Sequence, residues 1–155
     1  MTRKTNFSKE SVGLAGEYAV ASELCKRGFY AQLTLGNHKK TDLLVETDDH
    51  LFRVSVKSKT GYEWPRVKGI TGTDLLVFVD FKKKNEYDRP DFYVLTADHW
   101  KEVIKEVKKE KPGSKIDQKT NTVFWEPWSA TSKGWVGCSI QLKHVEKYKD
   151  NWPSS

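Results

Sequence analysis

The chain has 155 residues, about one domain's worth and long enough to bury a core without disulfides or a structural metal. Its 27 Lys and Arg outnumber its 21 Asp and Glu, and the net charge of +6 suits a polyanionic partner without demanding one. Cys25 and Cys138 are too few and too far apart for a disulfide framework or a zinc site. No stretch approaches the roughly 18 consecutive apolar residues of a membrane span, and the N-terminus lacks a signal core. We therefore expect a single cytoplasmic domain over residues 1–155 that is not embedded in a membrane.

The first third of the chain predicts a helix followed by three strands. Residues 8–27 have helical spacing, with Ser8 placed to cap the start of the helix and Gly28 to end it. Of the three strands, the second has a run of apolar residues that indicates cover on both faces, and the third alternates polar with apolar side chains. These strands are expected at residues 29–35, 41–46 and 51–59.

The remaining two thirds predict two strands, an amphipathic helix and a tryptophan-rich tail. Gly, Pro and Thr break any regular pattern in residues 60–73, which we interpret as a long loop. Strands are expected at 74–81 and 91–96, before a helix at 97–111. The apolar stripe of that helix consists of Trp100, Val103, Ile104 and Val107. The tryptophans of the tail are expected to close the core, and the tail to end in a short helix.

The strand at 51–59 has small apolar side chains on one side and basic or polar ones on the other. This pattern is typical of an edge strand with one wet face, and it also suits a strand that carries an active site. The residues opposite decide between these interpretations. A hairpin that turns at Asp48 and Asp49 would pair position 42 with position 55. Asp42 would then face Ser55, with Lys57 on the diagonal and on the same side of the sheet.

Glu17 adds an acidic group to this region. On the first helix it shares a stripe with Val20, Ala21 and Leu24, which should pack on the sheet. An acid on a packing face is costly unless something pairs with it, so its position favours a polar site. The alternative is that Glu17 lies at the margin of the stripe and reaches water. In the first case the helix should cover the face that carries Asp42 and Lys57.

The sequence resembles a known superfamily at these positions. The helix "GLAGEYAVASELCKRGF", the strand "TDLLVE" and the segment "VSVK" follow the order and spacing of the PD-(D/E)xK nucleases, in particular small prokaryotic endonuclease-like proteins. The similarity extends through "LLVFVDF" to the closing "KYKDNW". It implies an α/β fold with a restriction-endonuclease-like core, a mixed central β-sheet flanked by helices. Thr41 replaces the usual Pro, and Ser55 stands where the family has Asp, Glu or Gln.

The resemblance also implies roles for individual residues. Glu17, Asp42 and Lys57 would be catalytic, with Lys57 acting on the attacking water and on the charge of the phosphate. The ligands of a Mg²⁺ or Mn²⁺ ion would be Asp42, the backbone carbonyl of Val56, Ser55 and Glu17. Because a serine hydroxyl is a shorter and neutral ligand, Ser55 should weaken the metal site. The implied activity is metal-dependent hydrolysis of DNA.

Basic and aromatic residues near this site are candidate nucleic-acid contacts. Lysines and arginines would contact phosphates, while loop aromatics would stack on exposed bases. The candidates are Lys39, Lys40, Lys59, Tyr62, Trp64, Arg66 and Lys68. The ordinary alternative is that these side chains are solvated. Since cleavage of both strands of a duplex often needs two sites, a homodimer is a further expectation.

Two other functions remain open from the sequence. A module that keeps a nuclease fold only to bind nucleic acid is favoured by Ser55, since this residue weakens the metal site. A protein-interaction subunit is the other alternative, with the tryptophan-rich tail as its interface. Fold alone does not decide among these functions, because function depends on the site.

Overall fold

The computed structural model describes residues 8–34 and 41–154. Its helices are α1 (Lys9–Lys26), α2 (Ala97–Glu110) and α3 (Leu142–Val145), the last followed by a 3₁₀ turn at Glu146–Tyr148. Its strands are β1 (Tyr30–Leu33), β2 (Leu43–Glu46), β3 (Leu51–Lys59), β4 (Glu63–Val67), β5 (Leu75–Asp80), β6 (Asp91–Leu95), β7 (Lys115–Asp117), β8 (Thr122–Trp125), β9 (Trp135–Val136) and β10 (Cys138–Gln141).

A five-stranded sheet in the order β1-β2-β3-β5-β6 forms the centre of the fold. Strands β3 and β5 are parallel and the other neighbours are antiparallel, so the sheet is mixed. Strands β4 and β10 form a separate antiparallel pair, and β7, β8 and β9 form a small third sheet. The predicted fold class, a mixed central sheet flanked by helices, is confirmed.

The hairpin of β2 and β3 has the predicted register. Leu43 pairs with Val54 and Glu46 with Leu51, across a four-residue connection in which the Thr47 N–H donates to the His50 carbonyl at 2.8 Å. A slip by one residue would turn the apolar side chains of both strands to the wrong face. Burial of one face therefore specifies the register.

Helix α1 begins and ends where its capping residues predict. The Ser8 hydroxyl accepts a hydrogen bond from the Ser11 N–H at 3.2 Å, and Gly28 has the positive φ of 89° typical of a residue just past a helix. Val20 and Leu24 are fully buried against the face of the sheet that carries Val54. Helix α1 therefore packs on the apolar side of β3.

A second core lies on the opposite face of the sheet. The predicted stripe of α2 is buried there with Leu76 and Phe78 of β5 and with residues of the β4–β10 pair. This layer covers β5 and β6 but leaves Leu44 and Leu51 exposed on the β2–β3 hairpin. The expectation that β2 is covered on both faces is wrong, because its side chains alternate between buried and exposed.

Two predictions for the second half of the chain are also wrong. The segment 60–73 is not entirely a loop, because β4 forms within it by pairing with β10, with Glu63 opposite Gln141. The tryptophans of the tail do not all close the core, since Trp128 and Trp135 are 86% and 49% exposed. In the described part of the chain, no helix combines the length and the apolar character needed to cross a bilayer.

Candidate active site

Asp42 lies where β2 begins to pair with β3. Its N–H donates to the Val54 carbonyl at 3.2 Å, and its Oδ2 accepts a hydrogen bond from the Val56 N–H at 2.7 Å. The carboxylate thus satisfies a backbone donor of β3 beyond the last residue pair of the hairpin, Leu43 with Val54. A hydrogen bond from backbone to carboxylate holds the charged group in one place. The carboxylate of Asp42 is therefore fixed in the opening between β2 and β3.

The backbone of Val56 contributes a second oxygen to this opening. In an antiparallel ladder the N–H and C=O of one residue point toward the same neighbouring strand. Since the Val56 N–H points to Asp42, the Val56 carbonyl points toward the same opening. The Val56 carbonyl oxygen and the Asp42 carboxylate therefore face the same opening between β2 and β3.

Glu17 brings a second carboxyl group to Asp42. Partial burial, a hydrogen bond with the Asp42 side chain and the negative charge of Asp42 together raise the pKa of Glu17 to about 7. Glu17 therefore lies beside Asp42 and not at a solvated margin of α1. Two carboxyl groups this close hold either a shared proton or a cation between them near neutral pH.

Ser55 and Lys57 lie on the other face of the sheet from α1. They are half-buried and sit opposite Leu76 and Phe78 in the parallel pairing with β5. Helix α1 instead covers Val56 and its neighbours, so the expectation that α1 packs over the face of Ser55 and Lys57 is wrong. The apolar side of β3 takes the helix because burial of valine is favourable and burial of a lysine head group is costly.

The donor set fits a divalent ion that keeps much of its water. Asp42 and Glu17 supply two carboxyl groups and Val56 a carbonyl, which matches the few protein oxygens that Mg²⁺ commonly takes. Residues 8–34 and 41–154 contain no cluster of three or more His, Cys, Asp or Glu side chains placed to hold a metal. Burial of Glu17 and the neighbouring Asp42 raise the pKa of Glu17, and a cation between the two carboxyl groups would offset their negative charge.

Two of the predicted nucleic-acid contacts are wrong. Lys59 is 5% exposed, and its Nζ donates to Asp80 Oδ1 at 3.0 Å and to the Gly61 carbonyl at 2.9 Å. Trp64 is 1% exposed and its Nε1 donates to the Val79 carbonyl at 3.1 Å. Both side chains are buried and hydrogen-bonded inside the protein, so neither a phosphate nor a base can reach them.

The other predicted contacts lie on the surface or outside the described residues. Tyr62 is 82% exposed, and the Nζ of Lys82 lies 3.7 Å from the centre of its ring. Arg66 and Lys68 are exposed as well. Lys39 and Lys40 lie outside the described residues. Lys82 was not among the predicted residues because its contact with Tyr62 joins two loops that are distant in sequence.

Solved structures that are similar to this chain include two DNA-processing enzymes. One is the bacterial homing endonuclease I-Ssp6803I, with 22% identity, a TM-score of 0.44 and coverage of 59% of this chain and 71% of its own. The other is Hjc, a Holliday junction resolvase from Archaeoglobus fulgidus, with 11% identity, a TM-score of 0.45 and coverage of 87% and 88%. No protein-family model matches the chain, and no curated protein matches it in sequence.

Proposed function

We propose that the chain is a Mg²⁺- or Mn²⁺-dependent endonuclease that hydrolyses phosphodiester bonds of DNA. The observation that carries this proposal is the meeting of the Glu17 and Asp42 carboxyl groups beside the backbone of Val56. Helix α1, the start of β2 and the middle of β3 each contribute one part of the arrangement. These are the positions that the resemblance to the PD-(D/E)xK nucleases assigns to the reaction.

Asp42, Glu17 and the Val56 carbonyl would hold the ion, with Ser55 as a weaker additional ligand. When bound, the ion would stabilise charge on the scissile phosphate and make water more acidic. The hydrogen bond from the Val56 N–H keeps the Asp42 carboxylate oriented before any ligand arrives. This fixed carboxylate reduces the reorganisation that binding requires.

The remaining groups would act on water and on phosphate charge. In the hydrolysis, a water oxygen bonds to phosphorus as the ester P–O bond on the far side breaks, and the water gives up one proton while the leaving oxygen takes up one. Glu17 would be ionised while it holds the ion, because a bound cation favours the charged form of a carboxyl group. Lys57 would orient the water and offset the charge of the phosphate.

The first experiment measures nicking of supercoiled plasmid and calorimetric binding of Mn²⁺ with the same variants. Asp42→Asn should abolish both, while Lys57→Ala should retain the ion but lose activity by at least about 100-fold, as for loss of acid–base catalysis. The exposed Glu86→Gln is the control, and should behave as wild type. Cleavage by Asp42→Asn at the wild-type rate would contradict the proposal.

The identity of residue 55 supports a second candidate function, a nuclease fold retained only to bind nucleic acid. Serine is neutral and short where the related family has a carboxylate or an amide, so its ion affinity is lower. If the site is active but weakened, Ser55→Glu should tighten Mn²⁺ binding and raise cleavage. DNA binding without cleavage by wild type and by Ser55→Glu would favour the binding module. Cleavage of both strands would further require two sites, which a homodimer supplies.

A further inference from the structure

A second concave site lies away from the carboxyl pair. It is a cleft of about 710 Å³ between the C-terminal end of α2, the β8–β9 hairpin and the β4–β10 pair. We call it the tryptophan cleft, after Trp125 and Trp135, which line it. Its volume is within the range of small-ligand pockets, roughly 300–1,000 Å³. The cleft is thus large enough for a nucleotide.

The two tryptophans are neighbours in the lining of the cleft. Trp125 of β8 pairs directly with Trp135 of β9, so their side chains lie next to each other on one side of the hairpin. Trp135 is 49% exposed, and the guanidinium of Arg66 lies 4.6 Å from the centre of its ring. Exposed indole is costly in water and is typical of surfaces that bind a partner. Here the aromatic area is also placed beside a cation.

An unusual backbone holds Arg66 in this place. Arg66 has a φ of +53°, which is uncommon for a residue other than glycine. Gly137, at φ +91°, packs so tightly that a Cβ there would lie 2.9 Å from the Arg66 carbonyl carbon. The pairing of β4 with β10 also shifts register between Cys138 and Ile140. Such local strain is commonly found where a side chain is aimed at a ligand.

The rest of the cleft offers hydrogen-bonding groups and positive charge. Glu63 and Gln141 are direct partners across the β4–β10 pair and both line the cleft. Glu110, a second acid of the lining, lies 2.9 Å from His144 Nε2 and 3.4 Å from Lys143 Nζ. Lys111 adds a further cation to the lining. The amide of Gln141 and the carboxylate of Glu63 are suited to base edges, and Lys111 is suited to a phosphate.

We propose that the tryptophan cleft binds an unpaired nucleobase of single-stranded DNA. The base would stack on Trp135 and Trp125, with its edge toward Glu63 and Gln141 and its flanking phosphates near Arg66 and Lys111. Stacking suits any base, because each has a π-face, and it is open only to a base that has left the duplex. The inference rests on the proposed function, since it names single-stranded segments as part of the substrate.

The experiment measures binding of a fluorescently labelled single strand and of a fully paired duplex by anisotropy, with EDTA present to prevent cleavage. Trp135→Ala should weaken binding of the single strand by roughly 5- to 150-fold, as for loss of one stacked base, and change duplex affinity less than about twofold. Trp135→Phe should retain part of the affinity, since a smaller ring still stacks. The control is Trp128→Ala, which removes a more exposed tryptophan that is not in the lining.

Several results would overturn the inference. They are unchanged single-strand affinity in a folded Trp135→Ala, an equal loss in Trp128→Ala, or an equal loss of duplex affinity. Far-UV circular dichroism and thermal melting establish that each variant is folded. Plasmid nicking by wild type keeps this test separate from that of the proposed function: wild type that nicks plasmid while a folded Trp135→Ala keeps full single-strand affinity would overturn this inference alone. Failure of wild type to bind any DNA at low salt would overturn both proposals and favour a protein partner.

Discussion

At the scale of single residues, the buried ion pair of Lys59 and Asp80 shows how neighbours decide what a charge does. Lys59 and Asp80 are register partners in the parallel β3–β5 pair, and Trp64 lies under the Lys59 ammonium at 4.6 Å. Lys57 lies two residues earlier on the same face, and it forms no ion pair with any residue in 8–34 or 41–154. The same residue type is therefore structural at position 59 and is the proposed catalytic lysine at position 57.

Glu23 is a buried acid that is held charged by three neighbouring cations. Burial would raise its pKa, but hydrogen bonds from Arg27, Arg89 and Lys26, at 2.7, 3.1 and 3.0 Å, outweigh burial. The net result lowers the pKa from 4.5 to about 2. Because the folded-state pKa is below the unfolded one, this contribution is complete above pH 4.5 and is lost as the pH falls toward 2.

The prediction at this scale is a difference in acid stability. Between pH 6 and pH 3, wild type should lose about 2 kcal/mol more unfolding free energy than Glu23→Gln, because only wild type has this carboxylate to protonate. Urea unfolding at several pH values measures it. Glu86→Gln, an exposed acid, should keep the wild-type slope. Parallel profiles for wild type and Glu23→Gln would contradict the assignment.

At the scale of elements, helix α1 is positioned by its closest approach to β3. A Cβ at Gly16 would overlap the Ser58 hydroxyl and lie 3.6 Å from Val56 Cγ1, so a larger residue at this crossing would displace the Ser58 side chain. The buried Ser58 hydroxyl has no hydrogen-bond partner among the described residues. Glu17 is the residue after Gly16. The distance between α1 and β3 at Gly16 therefore determines how closely the Glu17 carboxyl approaches Asp42. Packing of α1 therefore controls the candidate site.

The second prediction tests that contact. Gly16→Ala should destabilise the protein by about 1–3 kcal/mol through overpacking, and adding Ser58→Ala should recover much of the loss by removing the overlapping hydroxyl. The matched control is Gly13→Ala on the same helix, where a Cβ has free space. It should stabilise by about 0.5–1 kcal/mol through helix propensity. Equal effects at positions 13 and 16, measured by thermal unfolding, would show that the approach is not tight.

At the scale of the whole molecule, the C-terminal segment joins α1 to the edge of the sheet. The Asp150 N–H donates to the Phe92 carbonyl at 2.9 Å, and its carboxylate accepts from Arg89 at 3.1 Å. The guanidinium of Arg27 lies 4.8 Å from the centre of the Trp152 ring. Arg89 also contacts Glu23, so one network ties α1, the β5–β6 connection and the C-terminal segment together. The network therefore supports the C-terminal end of α1.

The third prediction concerns the charge of the molecule and its proposed partner. With a net charge of +6 and exposed cations near β4, DNA affinity should fall steeply with salt, by a logarithmic slope of about 0.9 per phosphate contact. Lys68→Ala should reduce that slope by about 0.9, the value for one phosphate contact. Lys105→Ala on α2, where Lys105 pairs with Glu102 at 3.2 Å, is the control and should leave it unchanged. A flat salt response in wild type would oppose nucleic-acid binding.

The sequence by itself determined the features that depend on neighbours along the chain. The caps of α1, the apolar stripe of α2 and the register of the β2–β3 hairpin all follow from local spacing, turn residues and alternation. The adjacency of Glu17 and Asp42 was a sequence expectation too, because an acid on a packing stripe needs a polar counterpart. Each of these signals spans only a few turns or one hairpin.

The tertiary structure alone decided the features that depend on distant partners. Glu63 pairs with Gln141 and Trp125 with Trp135, and the strands β4 and β9 exist only through such pairings. Burial of Lys59 needs Asp80 beside it, which the parallel register supplies. Strand propensity is weak beside the packing of neighbouring strands, and a side chain's exposure depends on which layer covers it. Those contacts join residues that are separated in the sequence, so the local sequence pattern does not predict them.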